Sequence, residues 1–372
     1  MNEIAICVNI GSSSVKLAAF NLSNNELINN AHFNLSTETE NHRAEIYKIL
    51  EEFTNLVDKA KIKFISHRVV HGGKKYARTV KIDEIVYNDI KELSKLAPLH
   101  NKVSLIAIDY FLQFFPDLDQ MACFDTAFFT DLPLKAKVYP LPYNFYSDLD
   151  IQKYGFHGLS HAYCYNKVST YFKNNNLKII IAHLGAGASL SAIKNAVCKD
   201  TTMGFTPLDG LTMATRCGSI DAGIILHLLS QNYNFASLNH TLNYESGLKG
   251  LSQISGDFKE ILDLYNQDKK AKLAIDVFMH NLKKHFLAML ACLNGLDVIV
   301  FTGGIGENSA YVRQKLLKEL SFLKIKINKS KNDNCHFNKS DLKVISSKSS
   351  KTKVIVIKDN EELALYLQAK EI

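Results

Sequence analysis

Apolar and polar residues alternate along this chain with two different periods. Short apolar runs bounded by Gly, Asn, Asp or Ser predict β-strands, and longer segments with an apolar residue every three to four positions predict helices. The predicted strands are residues 4–8, 15–20, 62–66, 121–125, 178–183, 190–193, 297–302 and 353–357. The clearest predicted helices are residues 44–60, 102–115, 271–293 and 309–320. Because strands and helices alternate, the pattern predicts an α/β fold.

Residues 138–158 interrupt both periods with two prolines and six aromatic residues. The chain has 372 residues, whereas single hydrophobic cores stop growing near roughly 250 to 300 residues. We therefore expect two domains with a boundary near residue 150. The polar stretch 329–351, rich in Lys, Ser and Asn, predicts an exposed loop region.

Two segments of the chain share one pattern. "CVNIGSSSVKLAAF" (7–20) and "IAHLGAGASLSAIK" (181–194) each contain a strand, a polar residue, an apolar residue, Gly, small residues and a second strand. No helix follows the first turn, which excludes a Walker-type phosphate loop. One Ser-rich hairpin alone is more often structural, although its backbone N–H groups can bind an anion. The repeated turn favours two hairpins that bind nucleotide phosphates across a cleft between two domains.

The net charge of +7 raises the question of a polyanionic partner. Only five of the 44 basic residues are Arg, and the Lys residues are scattered along the chain. This distribution is typical of a solvated surface and argues against nucleic-acid binding. Seven widely spaced cysteines without a CxxC pattern predict buried thiols in a reducing compartment. Without a signal-peptide pattern or an apolar run of about 20 residues, we expect a cytoplasmic protein without a membrane span.

The rare Arg residues stand in unusual contexts. Arg68 follows a predicted strand in "SHRVVHGGKKY", and Arg216 lies in the Gly-rich segment "GFTPLDGLTMATRCGSID" (204–221). Each of these Arg residues could instead form a structural ion pair. The two Arg residues together favour the binding of a carboxylate or phosphate group. The segment "FTGGIGENS" (301–309) joins a predicted strand to a predicted helix. It is either a simple tight turn or a close backbone approach to a polar ligand.

Loop histidines and one aspartate add further candidate chemistry. Asp125 ends an apolar predicted strand, a usual place for a catalytic or metal-binding carboxylate in an α/β protein. His100, His157 and His161 lie in short loops, where a single His is more often structural. His157 and His161 are four positions apart, but neither the HExxH glutamate nor a third ligand accompanies them, so the pair does not predict a zinc site.

These motifs, in this order and over nearly the full length, resemble the acetate kinase family. The matching segments are "NIGSSSVKL", "HRVVHGG", "APLHN", "FDTAF", "YGFHGLSH", "HLGAGAS", "DTTMGFTPLDGLTMATRCGSID", "FTGGIGENS" and "DNEEL". The resemblance implies the fold of the acetate and sugar kinase, heat-shock chaperone and actin superfamily. That fold has two duplicated actin-like ATPase (ribonuclease H-like) α/β domains around an ATP cleft. The implied domains are 1–150 plus 359–372, with a returning C-terminal helix, and the nucleotide-binding domain 151–358; family members are homodimers.

The resemblance also implies an activity, reversible phosphoryl transfer from ATP to acetate by direct in-line displacement, giving acetyl phosphate and ADP. The implied metal is Mg²⁺, with Mn²⁺ as an alternative. Acetate is ionised at pH 7, so no general base is needed. The difficulty is the approach of two anions, so positive donors are expected at the site. The alternatives are a propionate kinase, whose substrate differs by a methylene worth only about 1–3 kcal/mol in a pocket, and an ATP-binding relative without catalysis.

Matching each family motif to this sequence assigns roles to individual residues. The catalytic set is Arg68, His100, Asp125, His157 and Arg216, with His161 supporting the loop. The acetate pocket is Arg68, Val70, Leu99, Phe156 and Pro207. The nucleotide phosphates are assigned to Ser12, Lys16, His183, Gly185 and Gly187. The adenosine is assigned to Asp257, Phe258, Lys259, Gly304, Ile305 and Asn308. The metal would be held by Asn9 and Glu361 with Asp125; the choice of Glu361 over Glu362 rests on a short motif.

The chain departs from the family pattern at several positions. Ala186 stands in the second hairpin turn where the family usually has Asn, and loss of one neutral hydrogen bond there would weaken phosphate handling by about 0.5–1.5 kcal/mol. The other departures are Lys102 for Pro, Phe129 for His, Leu159 for Thr, Ser219 for Asp, Ala222 for Pro and Lys259 for Arg. None of them removes the predicted set of charged residues.

Overall fold

The computed structural model describes residues 3–11, 14–35, 41–97, 100–338 and 340–372. Contacts divide the chain into two compact units. Unit 1 comprises Met1–Thr130, Phe156–Tyr163 and Asn360–Ile372, and unit 2 comprises Asp131–Gly155 and Cys164–Asp359. The chain therefore passes between the two units four times, after residues 130, 155, 163 and 359.

Two six-stranded sheets form the centres of the two units. The strands are β1 (Ile4–Ile10), β2 (Ser14–Asn21), β3 (Leu27–Asn34), β4 (Ile62–Val69), β5 (Val80–Lys81), β6 (Asp119–Phe124), β7 (Lys178–Leu184), β8 (Ala188–Lys194), β9 (Val197–Thr201), β10 (Val298–Thr302), β11 (Leu342–Val344) and β12 (Lys353–Ile357). All eight strands predicted from the sequence are present; β12 has the predicted bounds, and the other seven differ from the prediction by a few residues at their ends. The edge strands β3, β5, β9 and β11 were not predicted.

Helices connect and cover the strands. They are α1 (His42–Thr54), α2 (Glu84–Leu93), α3 (Asn101–Phe114), α4 (Leu134–Lys137), α5 (Tyr143–Ser147), α6 (Gly158–Phe172), α7 (Ala222–Ser230), α8 (Phe235–His240), α9 (Gly247–Ser252), α10 (Phe258–Asp263), α11 (Lys269–Leu293), α12 (Gly303–Asn308), α13 (Ala310–Glu319), α14 (Lys329–Asp333) and α15 (Glu361–Lys370). A π-helical turn, Thr241–Glu245, joins α8 to α9. Among the described residues, none of these helices has the length and apolar character needed to cross a bilayer.

The two sheets have the same topology. The order is β3-β2-β1-β4-β6-β5 in unit 1 and β9-β8-β7-β10-β12-β11 in unit 2. In each sheet the first three neighbours pair antiparallel, the central three pair parallel, and the last strand is antiparallel. The predicted internal repeat is confirmed, and the fold is a two-domain α/β fold with a duplicated sheet.

The two repeated hairpins differ in the length of the turn. In the first hairpin Ile10 pairs with Val15, with four residues between them in the sequence, whereas in the second Leu184 pairs with Ala188, with three residues between them. Backbone bonds close both turns, from Gly11 N–H to the carbonyl of Ser14 and from Gly185 N–H to that of Gly187.

The core of unit 1 is built around β1, whose seven residues are all buried. Helices α1 and α3 pack their apolar residues against β1, β2 and β4. The last helix, α15, contacts β1, β2, β4 and β6. Its Tyr366 is fully buried and stacks on Phe20 with 4.8 Å between ring centroids. This packing fixes the start of α15 beside the end of β1.

In unit 2 the central strand β10 is buried along its whole length, as expected for a parallel strand covered on both faces. The 25-residue helix α11 contacts β7, β8 and β9. The short helix α12 contacts β7, β10 and β12. The carboxyl end of β10 therefore leads directly into a helix that lies against the same sheet.

Three expectations from the sequence are wrong in part. The stretch 329–351 is not only an exposed loop, because it contains α14, β11 and Asn332, which is 1% exposed and hydrogen-bonded to Arg313. The first predicted helix ends at Thr54, where a turn and a short 3₁₀ helix follow. Four of the seven cysteines are buried, but Cys292 is exposed on α11.

Candidate active site

Three predicted side chains meet at the carboxyl edge of the first sheet. The parallel strands β1, β4 and β6 bring Asn9, Arg68 and Asp125 to this edge, the usual place for a ligand site in a parallel sheet. Arg68 Nη1 donates to Asn9 Oδ1 over 3.1 Å. Arg68 Nη2 lies 2.6 Å from Asp125 Oδ2. The sheet therefore assembles residues that are far apart in the sequence.

The Arg68–Asp125 pair is close and largely shielded from water. Besides the Nη2 contact, Arg68 Nε lies 3.2 and 3.1 Å from the two carboxylate oxygens. The Asp125 side chain is fully buried, and that of Arg68 is 13% exposed. A bidentate, charge-assisted pair of this kind fixes both side chains.

The first two residues of α15 complete the cluster. Asn9 Nδ2 donates to Glu361 Oε2 and to Glu362 Oε1, each over 2.8 Å. Arg68 Nη1 lies 3.4 Å from the same Glu361 oxygen. Burial, and secondly the neighbouring Glu361 carboxylate, raises the pKa of Glu362. Both glutamates thus contact Asn9, and Glu362 belongs to the cluster although sequence reasoning set it aside.

Two polar residues that sequence reasoning missed support Arg68 and His100. Ser104 Oγ lies 3.0 Å from the carbonyl of Arg68 and 3.3 Å from that of His100. The side chain of Asn101 exchanges two hydrogen bonds of 3.0 Å with the backbone of His71. The only sequence signal was that Asn101 ends the "APLHN" motif. These contacts tie that motif to the strand that carries Arg68.

The loop with His157 rests on the residue after β6. Gly158 N–H donates to the carbonyl of Asp125 over 3.0 Å. A Cβ at Gly158 would lie 2.0 Å from that oxygen, so only glycine fits. His157 itself has a φ of +60°, a conformation that side-chain-bearing residues rarely adopt and that is often found at functional sites. His161 is fully buried, and its N–H donates to the carbonyl of His157 over 3.0 Å.

The residues assigned to the acetate pocket fall in different parts of the chain. Val70 and Phe156 are buried in unit 1, at 2% and 1% exposure. The Phe156 ring packs edge-on to His71 at 5.5 Å. Pro207 lies in unit 2 and is partly buried. Leu99 lies outside the described residues.

A cavity of about 710 Å³ in unit 2 brings together most of the residues assigned to adenosine. This volume is typical of small-molecule sites. The predicted residues that line it are Gly185, Asp257, Phe258, Lys259, Gly304, Ile305 and Asn308. Sequence reasoning missed other lining residues, which are Gly256, Leu262, Ser309, Ala310 and Tyr311.

Glycines shape one wall of this cavity. Gly303 has a φ of +76°, and a Cβ there would lie 2.8 Å from the carbonyl oxygen of Leu184, so a side chain is excluded. A Cβ at Gly304 would meet nothing within 4 Å, so this position opens onto free space. Asn308 Nδ2 donates to the carbonyl of Gly304 over 2.9 Å. The "FTGGIGENS" segment is therefore a strand end and a short helix rather than a simple turn.

The residues assigned to the phosphates lie on the two repeated hairpins. In unit 1, Lys16 on β2 pairs in register with Asn9, and Ser12 lies outside the described residues. In unit 2, His183 near the end of β7 is 8% exposed and precedes the turn of Gly185 and Gly187. Ala186, where the family usually has Asn, is exposed at the tip of this turn.

Arg216 lies in unit 2 between β9 and α7. Its Nη1 is 3.3 Å from the carbonyl of Pro207 and 3.8 Å from the sulfur of Met213. Ser219, three residues after Arg216, stands where the family usually has Asp. Its hydroxyl donates to Asp209 Oδ1 over 2.6 Å and accepts from Gly210 N–H over 3.0 Å. The serine thus still takes part in the hydrogen bonding of this loop.

Comparison with known proteins gives a consistent result. The profile of the Acetokinase family matches residues 4–367. The acetate kinase of Clostridium novyi is 38% identical over 395 aligned residues, covering 99% of this chain and 98% of that protein. The crystal structure of Porphyromonas gingivalis acetate kinase has a TM-score of 0.88 at 31% identity, with 98% of each chain covered. A propionate kinase from Francisella tularensis has a TM-score of 0.87 at 34% identity, also with 98% of each chain covered. With a profile match over residues 4–367 and full-length similarity, this chain belongs to the Acetokinase family.

Proposed function

We propose that the protein catalyses reversible phosphoryl transfer from ATP to acetate, giving acetyl phosphate and ADP. The buried cluster of Arg68, Asp125, Asn9 and Glu361 carries this proposal. It combines a guanidinium suited to a carboxylate with carboxylate and amide oxygens suited to Mg²⁺. The full-length similarity to a protein named acetate kinase supports acetate as the acceptor.

The residues of this chain supply positive charge and hydrogen-bond donors rather than a base. Acetate is already ionised, so its oxygen attacks the γ-phosphorus in line and the bond to the β–γ bridging oxygen breaks. Arg68 and Arg216 hold the acetate carboxylate and the transferring phosphoryl group. His157 donates a hydrogen bond to that phosphoryl group in the transition state, and His100 assists. Donors placed in advance at the developing charge are the largest usual source of rate enhancement.

The acidic residues of the cluster fit a divalent metal. Asp125 and Glu361 present carboxylate oxygens, and Asn9 adds an amide, a donor set that hard cations prefer. These three residues would hold Mg²⁺, or Mn²⁺ in its place. When bound, the ion neutralises charge on the phosphates of ATP.

The cavity of unit 2 is the proposed adenosine site. Its volume of about 710 Å³ and its glycine wall at Gly304 leave room for a nucleoside. For the phosphates, the proposed residues are Lys16 in unit 1 and His183, Gly185 and Gly187 in unit 2, with Ser12 assigned from the sequence alone.

A propionate kinase is the second candidate. The observation in its favour is the similarity to the Francisella propionate kinase over the full chain. Val70 cannot decide between the substrates, because one methylene changes binding by only about 1–3 kcal/mol. Values of kcat/KM for acetate, propionate and butyrate decide it, and a clear preference for propionate would replace acetate as the substrate.

A hydroxamate assay tests the proposal against a non-catalytic ATP-binding relative. With ATP, Mg²⁺ and acetate, we expect acetyl phosphate that is trapped by hydroxylamine, and none after chelation of the metal. Bound nucleotide without acetyl phosphate at high enzyme concentration would favour the non-catalytic relative. Arg216→Ala should lower kcat by orders of magnitude and leave ATP affinity largely intact. Arg78→Ala, at an exposed position, is the matched control and should keep wild-type rates.

We also propose a homodimer in the cytoplasm. Helix α7 is strongly apolar, yet none of its residues is buried. On this helix Leu226 is 69% exposed, and Phe235 at the start of α8 is 80% exposed; large exposed apolar patches usually mark a protein interface. Light scattering should give twice the monomer mass, and Leu226→Glu should give the monomer, while Leu56→Glu at another exposed position should not. The cytoplasm is supported by the seven free thiols.

A further inference from the structure

Arg216 lies in residues 210–219 of unit 2, which we call the Arg216 loop. Gly210 and Gly218 flank it, with φ values of +102° and +72° that favour glycine. A guanidinium that acts on a transferring phosphoryl group has to be held to within about 0.5 Å. The backbone of this loop therefore needs a fixed support.

That support is the segment 241–249, which we call the anchor segment. It consists of the π-helical turn Thr241–Glu245 and the first residues of α9. A π-helical turn is rare and is frequently found at functional sites. The carbonyl groups of this turn are the ones that bind the Arg216 loop.

The residues on either side of the arginine are hydrogen-bonded to the anchor segment. Thr215 O accepts from Ser246 N–H over 2.9 Å, and Cys217 N–H donates to Leu242 O over 3.1 Å. The hydroxyl of Thr215 also donates to Asn243 O over 2.8 Å. The arginine thus lies between two residues that the anchor segment holds.

The start of α9 touches the loop directly. Gly247 has a φ of +60°, and a Cβ there would lie 2.2 Å from Met213 O and 2.7 Å from Arg216 O. The next residue, Leu248, donates its N–H to Met213 O over 2.8 Å. Any side chain at Gly247 would therefore displace the backbone that carries Arg216.

We propose that the anchor segment positions Arg216 for phosphoryl transfer, with the Thr215 hydroxyl and Gly247 as positioning residues. Neither touches substrate in this scheme, and both act through the arginine. The proposal rests on the proposed function, because it takes Arg216 as catalytic. The same loop also binds the second hairpin turn, since Ala214 N–H donates to Ala186 O over 3.0 Å. Displacing the loop thus also disturbs the turn assigned to the phosphates.

Thr215→Val removes the hydroxyl and keeps the shape of the side chain. We expect kcat to fall roughly three- to tenfold, the range set by one hydrogen bond, with little change in the KM for ATP. Thr215→Ser keeps the donor and should restore most of the rate. Thr352→Val is the matched control, because Thr352 is also partly buried and its hydroxyl donates to Leu296 O over 2.8 Å. Thr352→Val should lower the melting temperature by a similar amount but should reduce kcat less than twofold.

Gly247→Ala is the stronger perturbation and should lower kcat by more than tenfold. Gly295→Ala is its control, because Gly295 also has a positive φ of +126° but its closest contact is the flexible end of Lys178. If the two alanine variants lost kcat equally, backbone strain alone would account for the loss and the proposal would be overturned.

Hydrogen–deuterium exchange separates this proposal from the proposed function. In Thr215→Val, the amides of residues 210–219 should exchange faster than in the wild type, and Thr352→Val should leave them unchanged. Unchanged exchange, or equal kcat in the two valine variants, would overturn the positioning role. If the wild type formed no acetyl phosphate while this exchange difference was seen, the proposed function would fail and the anchoring of the loop would stand.

Discussion

Replacing Asp125 with Asn tests the centre of the proposed site. The substitution keeps the shape of the side chain and removes its charge. In the wild type Arg68 makes three contacts of 2.6 to 3.2 Å with this carboxylate. After the substitution the guanidinium loses the charged partner at position 125 and keeps Asn9 Oδ1 at 3.1 Å and the Glu361 carboxylate at 3.4 Å.

The size of the effect follows from burial. Removing one partner of a buried pair usually costs about 3–5 kcal/mol, because the other charge stays buried and unpaired. Here the Arg68 side chain is 13% exposed and keeps a second carboxylate, so the cost is smaller. We expect Asp125→Asn to lower the free energy of unfolding of unit 1 by about 2–3 kcal/mol.

Urea unfolding followed by far-ultraviolet circular dichroism measures this difference. The control is Glu52→Gln, which breaks a pair with Lys48 at 4.0 Å between side chains that are 56% and 78% exposed. Such an exposed pair contributes at most about 0.5 kcal/mol. The double variant with Arg68→Gln should recover part of the loss, because the buried guanidinium that Asp125→Asn deprives of its nearest carboxylate is then absent.

The reasoning fails if Asp125→Asn is as stable as Glu52→Gln. It also fails if the double variant is less stable than the sum of the two single losses predicts. In either case the Arg68–Asp125 pair would not be the buried unit that the distances describe.

Three further predictions concern other parts of the two units. Burial lowers the pKa of His67 to about 4, whereas the unfolded chain titrates near 6.5. The unfolded chain therefore binds the extra proton, and the free energy of unfolding should fall as the pH drops from about 6.5 to about 4; chemical unfolding of His67→Gln should show a flatter dependence. Gly158→Ala should lower kcat at least tenfold because its Cβ would meet Asp125 O, while Gly223→Ala should keep the wild-type rate. Gly304→Ala should leave the melting temperature unchanged, since no atom lies within 4 Å, yet raise the KM for ATP several-fold in steady-state kinetics.

The central strands and the long helix could be predicted from local sequence. In α11 the predicted start at residue 271 was two positions late. The helix begins at Lys269, because the side chain of Asp268 caps it by accepting from Ala271 N–H. The two residues before Ala271 are Lys269 and Lys270, so a pattern of apolar spacing alone cannot place the start of the helix there.

The edge strands could not be predicted because tertiary pairing forms them. Strand β3 has no buried residue and a sequence rich in Asn, which disfavours strands. It forms because it pairs antiparallel with β2 along residues Ser14 to Phe20. Helix α7 was not predicted for a different reason, which lies in its own sequence. Its nine residues are mostly apolar, and periodicity alone cannot assign such a short apolar run to a helix or a strand.

Family motifs located the charged residues of the site. The residues that hold these side chains in place could be identified only from the structure. Ser104 contacts the carbonyl of a residue 36 positions away, and Asn101 contacts one 30 positions away. No spacing rule links such pairs, because the distance between them is set by how α3 packs on β4. The same limit applies to Glu362, whose contact with Asn9 spans 353 positions.

The duplicated sheets show how one architecture supports two chemistries. Strands β1, β4 and β6 correspond to β7, β10 and β12 in the shared order. In unit 1 the carboxyl ends of the first set carry the charged cluster around Arg68. In unit 2 the corresponding end of β10 runs at once into Gly303 and Gly304, which remove side chains and leave a cavity. The carboxyl edge of a parallel sheet is the usual place for a ligand; at this edge the first copy offers charges and the second offers space. Substitutions at the edge in unit 1 should therefore change kcat, whereas those at the edge in unit 2 should change nucleotide affinity.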